Sequence, residues 1–279
     1  MNASFQIQPV QDQPIDTAKA ILLLEVSPDY LLAGIMDDDN KFASLEYFRL
    51  EQHDPVNSFK SVIISHEWFS RPYHAVKVIY NFPDSLLVPL SLYDQGNAKA
   101  SLDLVFGDAC QGNTFSDHLP GWDACNIYRV PETYITAINA RFKQAESLHL
   151  FTVVLKKLQQ ENSDLAGDNL FLVFNERKLF VTFVKDNRLM LVQTYGYETA
   201  EDVSYILLNV CKQFDLDCET VSIHISGLLD DQSSVYGEMR KYFLHVLLDK
   251  RPDALKYADT FDEYPAHFFN SIYWSALCV

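Results

Sequence analysis

The sequence predicts an α/β protein built from one folding unit that occurs twice. In the second half, residues 169–195 read as three short strands joined by tight polar turns, at 170–174, 179–185 and 188–193. A stretch with the same plan lies 148 residues upstream, with strands predicted at 21–26, 30–36 and 41–47. In each half a helix and then a buried strand follow the three strands. Sequential hairpins followed by a crossover to a parallel strand give a mixed sheet covered by helices.

The rest of the first half alternates helices and strands. A helix is predicted over residues 56–69, where Asp54 and Pro55 provide a start signal and Phe59, Val62 and Ile63 have near-helical spacing. Residues 1–19 are mostly polar and are expected to form a loose lead-in or an edge strand. The other predicted elements are strands at 76–80, 126–130 and 146–150, an extended segment at 85–93, helices at 94–106, 132–142 and 151–161, and a loop at 107–122.

The second half repeats this order after its three strands. We expect a helix at 198–214, a strand at 220–225, a helix at 232–246 and a last aromatic helix around 267–277. The polar segment 162–169 is the best linker candidate. The predicted domains are therefore residues 1–162 and 163–279.

Composition and charge exclude several kinds of partner. The 279-residue chain carries 38 acidic and 22 basic side chains, a net charge of −16, which disfavours nucleic acid and anionic membrane surfaces. Its apolar runs are too short for membrane insertion, and its first residues lack the pattern of a signal peptide. Five irregularly spaced cysteines suit free thiols in a reducing compartment. The expected location is the cytoplasm, and the sequence leaves a monomer and a weak dimer open.

The duplicated unit resembles the actin-like ATPase fold, in which two ribonuclease-H-like domains face a cleft. Residues 128–132 (YRVPE), followed by a helix, an extended segment at 148–150 and another helix, are similar to a passage of bacterial actin relatives. Those relatives serve in cell division and in pilus and type II secretion assembly. The whole chain, including residues 87–89 (LVP) and the late aromatic helix, resembles an uncharacterised bacterial family, a domain of unknown function with this fold. The resemblance implies two duplicated ribonuclease-H-like domains with mixed sheets flanked by helices.

The resemblance also implies where a nucleotide would bind. Actin-like ATPases hold phosphates in the first turn of each domain, which needs an acidic residue, a glycine and a hydroxyl residue. In the first half Glu25 takes the acid position, Ser27 replaces the glycine, and Pro28 has no N–H to donate. In the second half the acid position is Val173, followed by Asn175 in the turn.

A glycine pair that contacts adenosine is expected after the last matched strand, where this chain offers the single Gly227. Glu25, Ser27, Asn175 and Gly227 are therefore candidate positions of a degenerate nucleotide site. Ordinary turn chemistry is the favoured interpretation of Glu25. We expect no catalytic residue, no cofactor and no metal.

Other candidate sites have simpler explanations. His66 and Glu67 begin like a helical zinc motif but lack the second histidine. Cys211 and Cys218 are spaced too widely for a typical metal pair, and the acidic run 37–39 suits a hairpin turn. The remaining serine, histidine and aspartate residues are too scattered to name a triad, so His149 and His224 are interpreted as core or interface histidines.

Three functions remain open at this point. The first is a non-enzymatic interaction or scaffold protein that binds an unknown protein partner through its cleft or a sheet edge. The second is a nucleotide-binding ATPase that uses Glu25 with unusual phosphate contacts. The third is a small-molecule sensor that uses the interdomain cleft.

Overall fold

The computed structural model describes residues 3–8, 15–160 and 167–278. The chain divides into two compact units. Unit 1 comprises residues 1–156, 253–263 and 272–279, and unit 2 comprises residues 157–252 and 264–271. The expected linker at 162–169 falls mostly outside the described residues. Two C-terminal segments belong to unit 1, whereas the sequence placed them in the domain 163–279.

The main sheet of unit 1 contains the first predicted hairpins. Its strands are β1 (Phe5–Ile7), β2 (Ile21–Val26), β3 (Tyr30–Met36), β4 (Lys41–Arg49), β5 (Ala75–Tyr80), β9 (Glu146–His149) and β15 (Lys256–Tyr257). Their order is β1-β4-β3-β2-β5-β9, and β15 also pairs with β4. The strands β2, β3 and β4 are antiparallel, whereas β5 runs parallel to β2. The sheet is therefore mixed, as predicted.

Among the described residues, five α-helices lie in unit 1 or begin there, and not all of them pack on this sheet. They are α1 (Pro55–Ser65), α2 (Glu67–Ser70), α3 (Ala98–Phe106), α4 (Glu132–Arg141) and α5 (Leu150–Gln160), the last of which continues past residue 156. The helix predicted over 56–69 is interrupted because His66 has an extended backbone. The His66 side chain caps α2 by accepting a hydrogen bond from the N–H of Trp68.

A second sheet of unit 1 was missed in part from the sequence. It consists of β6 (Ser85–Pro89), β8 (Ala124–Pro131) and β7 (Gly112–Leu119), in that order and all antiparallel. The prediction of a loop over 107–122 was wrong. The sequence of β7, GNTFSDHL, has the composition of a turn, and the strand exists because it pairs with β8 along its whole length.

The late segments of unit 1 pack around one aromatic ring. Phe42 on β4 lies 6.0 Å from the ring of Tyr257, 6.4 Å from Phe261 and 4.8 Å from Tyr273. All three of these residues come from the end of the chain. Burial of these rings therefore accounts for the assignment of the late segments to unit 1.

Unit 2 repeats the plan of the main sheet. Its strands are β10 (Asp168–Asn175), β11 (Lys178–Lys185), β12 (Arg188–Gly196), β13 (Ser222–Gly227) and β14 (His245–Leu248). Their order is β12-β11-β10-β13-β14, which matches β4-β3-β2-β5-β9 of unit 1. In both units the first three strands are antiparallel and the next two are parallel to the first. The duplication predicted from the sequence is therefore confirmed.

The helices of unit 2 differ from the prediction in one place. They are α6 (Ala200–Phe214) and α7 (Ser234–Met239), and α8 (Asn270–Leu277) begins in this unit. Thr199 and Asp202 form a capping box that starts α6. The prediction of one helix over 232–246 was wrong, because α7 ends at Met239 and the chain then enters β14. Met239, Phe243 and Val246 are buried and their spacing imitates a helix.

Four short 3₁₀ helices complete the described structure: Leu90–Leu92, Gln95–Asn97, Pro120–Trp122 and Asp259–Glu263. Each unit has its own apolar core between sheet and helices. Among the described residues, no helix combines the length and the apolar character that crossing a membrane requires.

Candidate functional site

The first hairpin of unit 1 holds Glu25 in a closed hydrogen-bonded cluster. Glu25 lies near the end of β2 and is fully buried. Its carboxylate accepts a short hydrogen bond from the hydroxyl of Tyr30, which starts β3. The Nδ2 atom of Asn81 lies 3.4 Å from the carboxylate and donates to the Tyr30 hydroxyl at 2.9 Å. Burial, followed by the nearby Glu25 charge, raises the pKa of Tyr30 well above its ordinary value, so this hydroxyl stays protonated.

The turn after Glu25 uses its backbone donors internally. The N–H of Ser27 donates to the carbonyl of Tyr30 at 3.0 Å. The N–H of Asp29 donates to the Ser27 hydroxyl at 3.2 Å, and Pro28 has no N–H. None of the three turn residues Ser27, Pro28 and Asp29 therefore has a backbone N–H available to bind a ligand.

The corresponding hairpin of unit 2 has a different chemistry. Val173 takes the position of Glu25 and is buried, and Asn175 pairs with Lys178 at the end of the ladder. The carbonyls of Glu176 and Arg177 accept hydrogen bonds from Tyr197, at 2.9 Å from its hydroxyl and 3.0 Å from its N–H. Tyr197 thus fastens this turn to the end of β12.

Gly227 is required by a close backbone approach. It has a φ of 89°, and a Cβ atom placed on it would lie 2.1 Å from the carbonyl oxygen of Phe174 on β10. Its N–H donates to the carbonyl of His267 at 2.8 Å, and the N–H of Leu228 donates to Phe174 at 2.7 Å. Glycine at this position therefore has a structural reason within unit 2.

The structure brings the four predicted positions together in pairs. Glu25 and Ser27 share one hairpin of unit 1. Asn175 and Gly227 lie at the ends of the adjacent strands β10 and β13 of unit 2, where Phe174 pairs with Gly227.

A buried polar network in unit 1 was not recognised from the sequence. The Asp117 carboxylate accepts hydrogen bonds from the Thr152 hydroxyl at 2.7 Å and from the N–H of His149 at 2.9 Å. Asn126 donates to Thr152 at 3.2 Å and accepts from the Ser85 hydroxyl at 2.7 Å. Every member of the network is at least nine-tenths buried. The Tyr128 hydroxyl donates to the same carboxylate at 3.3 Å. Burial raises the pKa of Asp117, and the three hydrogen bonds it accepts act against that rise.

His149 has both ring nitrogens engaged in this network. Its Nδ1 atom accepts from the N–H of Phe151 at 3.1 Å, which leaves Nε2 to donate to the carbonyl of Phe82 at 3.0 Å. Burial lowers the pKa of His149 to about 4. The Ser85 oxygen lies 3.3 Å from Nδ1, but its proton goes to Asn126. The arrangement joins β6, β7 and β8 to the start of α5 and does not activate a serine.

A second polar cluster lies at the carboxyl ends of β13 and β14 in unit 2. The Ser226 hydroxyl donates to Asp249 at 2.6 Å and accepts from the Nδ2 atom of Asn270 at 3.0 Å. Asn270 also donates to the carbonyl of Lys250 at 3.1 Å. His224 stacks on Phe171 at 4.6 Å, and its Nε2 atom lies 3.2 Å from Oδ1 of Asn169. These contacts fasten the loop after β14 and the start of α8 to the sheet.

One apolar groove lies on the surface of unit 1 between α1 and α4. Its cavity volume is about 310 Å³, and its lining includes Lys60, Ile63, Ile64, Ala137 and Arg141. Ile64 is 81% exposed. Within the described ranges, no group of three His, Cys, Asp or Glu side chains has a geometry that could hold a metal ion.

The fold places the chain in a known structural class. A crystal structure from Bacteroides thetaiotaomicron, described as a protein with an actin-like ATPase fold and unknown function, is similar with a TM-score of 0.76 and 17% identity. The similarity covers 85% of this chain and 94% of that one. Two further structures share the fold at 7% identity. The PilM–PilN type IV pilus biogenesis complex has a TM-score of 0.60, covering 95% of this chain and 99% of that one. The ethanolamine utilization protein EutJ from Carboxydothermus hydrogenoformans has a TM-score of 0.50, covering 96% and 91%.

This protein therefore has an actin-like ATPase fold. Residues 11–246 match the family model described as "Protein of unknown function (DUF3822)", so the chain belongs to that family. No curated protein matches the sequence. The suspected family resemblance and its fold are confirmed.

Proposed function

We propose that this chain is a non-enzymatic protein-interaction or scaffold protein, built on an actin-like fold whose nucleotide positions no longer suit a nucleotide. The observation that carries the proposal is the closed cluster around Glu25. A carboxylate that orients water or holds Mg²⁺ must present an oxygen to solvent or ligand, whereas Glu25 is fully buried and bonded to Tyr30. The acid position of the second hairpin, Val173, has no oxygen in its side chain.

The phosphate-binding turns support the same conclusion. Phosphate recognition by a turn relies on several backbone N–H groups that point at the anion. In the first turn Ser27 and Asp29 use their N–H groups internally, and Pro28 has none. The residues present therefore do not fit a magnesium–nucleotide complex.

The structural relatives support an interaction role by analogy. PilM has this fold and is seen in a complex with PilN. On this chain, the groove beside Ile64 offers an exposed apolar surface of the kind that binds other proteins. The partner of this chain is a protein of unknown identity.

Thermal unfolding with nucleotide tests the proposal directly. A ligand that binds only the folded state at 100 times its dissociation constant stabilises it by about 2.7 kcal/mol, so it raises the unfolding midpoint. We expect no change in the midpoint with millimolar Mg–ATP or Mg–ADP. A purified ATPase of actin-like fold serves as the positive control in the same buffers.

The variant Glu25→Gln makes the test specific for this position. A midpoint that rises with nucleotide in the wild type but not in Glu25→Gln contradicts the proposal and supports an ATPase with atypical phosphate contacts. A midpoint that is unchanged in both proteins agrees with a scaffold. Release of phosphate from ATP, measured on the same samples, gives an independent check of the absence of activity.

A further inference from the structure

One strand at a sheet edge differs from all other edge strands in the described parts of the chain. β12 (Arg188–Gly196) has nine residues and forms one end of the sheet of unit 2. Its only strand partner among the described residues is β11. The outward N–H and C=O groups of an edge strand are a template for pairing with another strand.

Natural proteins protect such edges with short strands, charges, prolines or bulges. The other edge strands of the described sheets have these protections. β1, β9, β14 and β15 have at most four residues, β6 ends with Pro89, and β7 contains Asp117 and His118. β12 has one irregularity, a register shift that involves Met190, and its remaining ladder from Leu191 to Gly196 is regular.

Between Arg188 at its start and Glu198 beyond its end, β12 carries no charged side chain. Residues 189–197 (LMLVQTYGY) contain neither a charged residue nor a proline. The chain has a net charge of −16, so two copies repel each other over most of their surfaces. An uncharged strand is a surface on which two copies approach without that repulsion.

We propose that β12 pairs antiparallel with β12 of a second copy of this chain, which joins two sheets of unit 2 into one continuous sheet. The inference goes beyond the proposed function, because it concerns self-association and does not depend on nucleotide. Pairing of this kind is an isologous interface with two-fold symmetry, the commonest arrangement in homo-oligomers.

The charges at the two ends of β12 favour a second copy of this chain as the strand that pairs with it. Arg188 begins β12, and Glu198 follows two residues after its end. Both side chains are exposed, and neither forms an ion pair within the described residues. A two-fold axis at Gln193 places Leu191 opposite Tyr195 and Val192 opposite Thr194. The same axis brings Arg188 of each copy beside Glu198 of the other, so opposite charges meet at both ends of the interface.

Sedimentation velocity and light scattering over a range of protein concentrations test the proposal with the purified chain. We expect a reversible dimer. The variant Gln193→Lys places two ammonium groups opposite each other at the axis, and we expect at least a tenfold weaker dimer. Gln193 is exposed, and circular dichroism checks that the variant is folded.

A charge-reversal cycle at the strand ends tests the register. Arg188→Glu and Glu198→Arg each bring like charges together and are expected to weaken the dimer. The double variant restores opposite charges and is expected to recover most of the affinity. The control Leu247→Lys alters the exposed side chain of the edge strand β14 and is expected to leave the dimer unchanged.

Three results overturn the proposal. The first is a wild-type chain that remains a monomer at every concentration, even if this edge binds a strand of another protein. The second is a dimer that Gln193→Lys and the charge reversals do not weaken. The third is a dimer that Leu247→Lys weakens as much as Gln193→Lys does, which places the interface elsewhere.

Discussion

The side chains of Glu25 and Tyr30 meet diagonally across the first hairpin of unit 1, where Glu25 pairs with Leu32 and the tyrosine hydroxyl donates a hydrogen bond to the buried carboxylate. The same hydroxyl accepts from Asn81, which follows β5. The strand order that creates this fold therefore also supplies the partners that enclose the acid. Glu25 contributes to the stability of the hairpin, and its chemistry is that of a satisfied buried group.

Removal of the Tyr30 hydroxyl tests this contribution. Tyr30→Phe keeps the ring that stacks on Tyr47 at 5.1 Å but removes a hydrogen bond to the Glu25 carboxylate. We expect the free energy of unfolding to fall by about 1–3 kcal/mol, because a buried charged acceptor loses a partner. Urea denaturation measures the change.

Tyr205→Phe is the matched control for this substitution. Tyr205 is 70% exposed on α6, so removal of its hydroxyl is expected to change stability by less than about 0.5 kcal/mol. Equal stability of Tyr30→Phe and the wild type would contradict the role assigned to the hydroxyl.

His149 predicts a pH dependence of folding stability. Burial lowers the pKa of His149 from 6.5 to about 4 in the folded chain. Above pH 6.5 the ring is neutral in both states and its contribution is complete. As the pH falls from about 6.5 to about 4, the unfolded chain takes up a proton that the folded chain does not, so stability decreases by roughly 3 kcal/mol. Below about pH 4 this contribution no longer changes.

The variant His149→Gln isolates this dependence from that of the carboxylates. We expect its stability at pH 7 to be lower, but its curve between pH 6.5 and pH 4 to lack the decrease attributed to His149. Asp117 acts in the opposite direction, because burial raises its pKa and so favours the folded state at low pH. Only the difference between variant and wild type is therefore compared. His53→Gln, at a side chain that is 81% exposed, serves as the surface control for the substitution itself.

The sequence predicts the elements that depend on local pattern. The hairpins of β2, β3 and β4 and of β10, β11 and β12 follow from apolar runs separated by polar turns, and their bounds differ from the prediction by three residues at most. The strands β7 and β14 exist because a distant strand pairs with them. Such pairing leaves no periodic signal in β7, and in the region of β14 the spacing of Met239, Phe243 and Val246 imitates a helix.

In the candidate site, too, some features can be predicted from the local sequence and others depend on distant strand pairing. The acid position at Glu25 is implied by the resemblance to actin-like ATPases, and the loss of a donor at Pro28 is visible in the sequence. The bond from Asn81 depends on the parallel pairing of β2 with β5, which brings residue 81 beside residue 25. Asp117 was hidden because it lies in a segment predicted to be a loop.

The buried ion pairs of Arg129 are expected to contribute to the free energy of unfolding. Only 2% of its side chain is exposed, and its Nε and Nη2 atoms donate to Asp84 at 2.9 and 2.7 Å. Its Nη1 atom donates to Asp103 at 2.7 Å, and Nη2 also reaches the carbonyl of Gly107 at 2.8 Å. A lysine has one nitrogen and cannot make this fork, so Arg129→Lys is expected to lower the unfolding free energy by about 3 kcal/mol.

The surface pair of Arg71 with Glu67 provides the control for Arg129. Its atoms lie 3.0 Å apart, but the side chains are 39% and 69% exposed. Arg71→Lys is expected to change stability by less than about 0.5 kcal/mol in the same denaturation experiment. Similar losses at the two positions would show that the fork at Arg129 has no special weight.

Substitution of Gly227 tests whether this glycine is needed for the fold or for binding a nucleotide. Gly227→Ala places a methyl group 2.1 Å from the Phe174 carbonyl oxygen and forces a side chain on a backbone with φ of 89°. We expect a loss of at least about 2 kcal/mol in unfolding free energy, with or without nucleotide, because the strain is within the sheet of unit 2. Gly237→Ala is the control, since α7 offers open space there and alanine favours a helix by up to about 1 kcal/mol. If Gly227→Ala instead folds with wild-type stability and changes only a response to Mg–ATP, the glycine serves a nucleotide and the structural explanation is wrong.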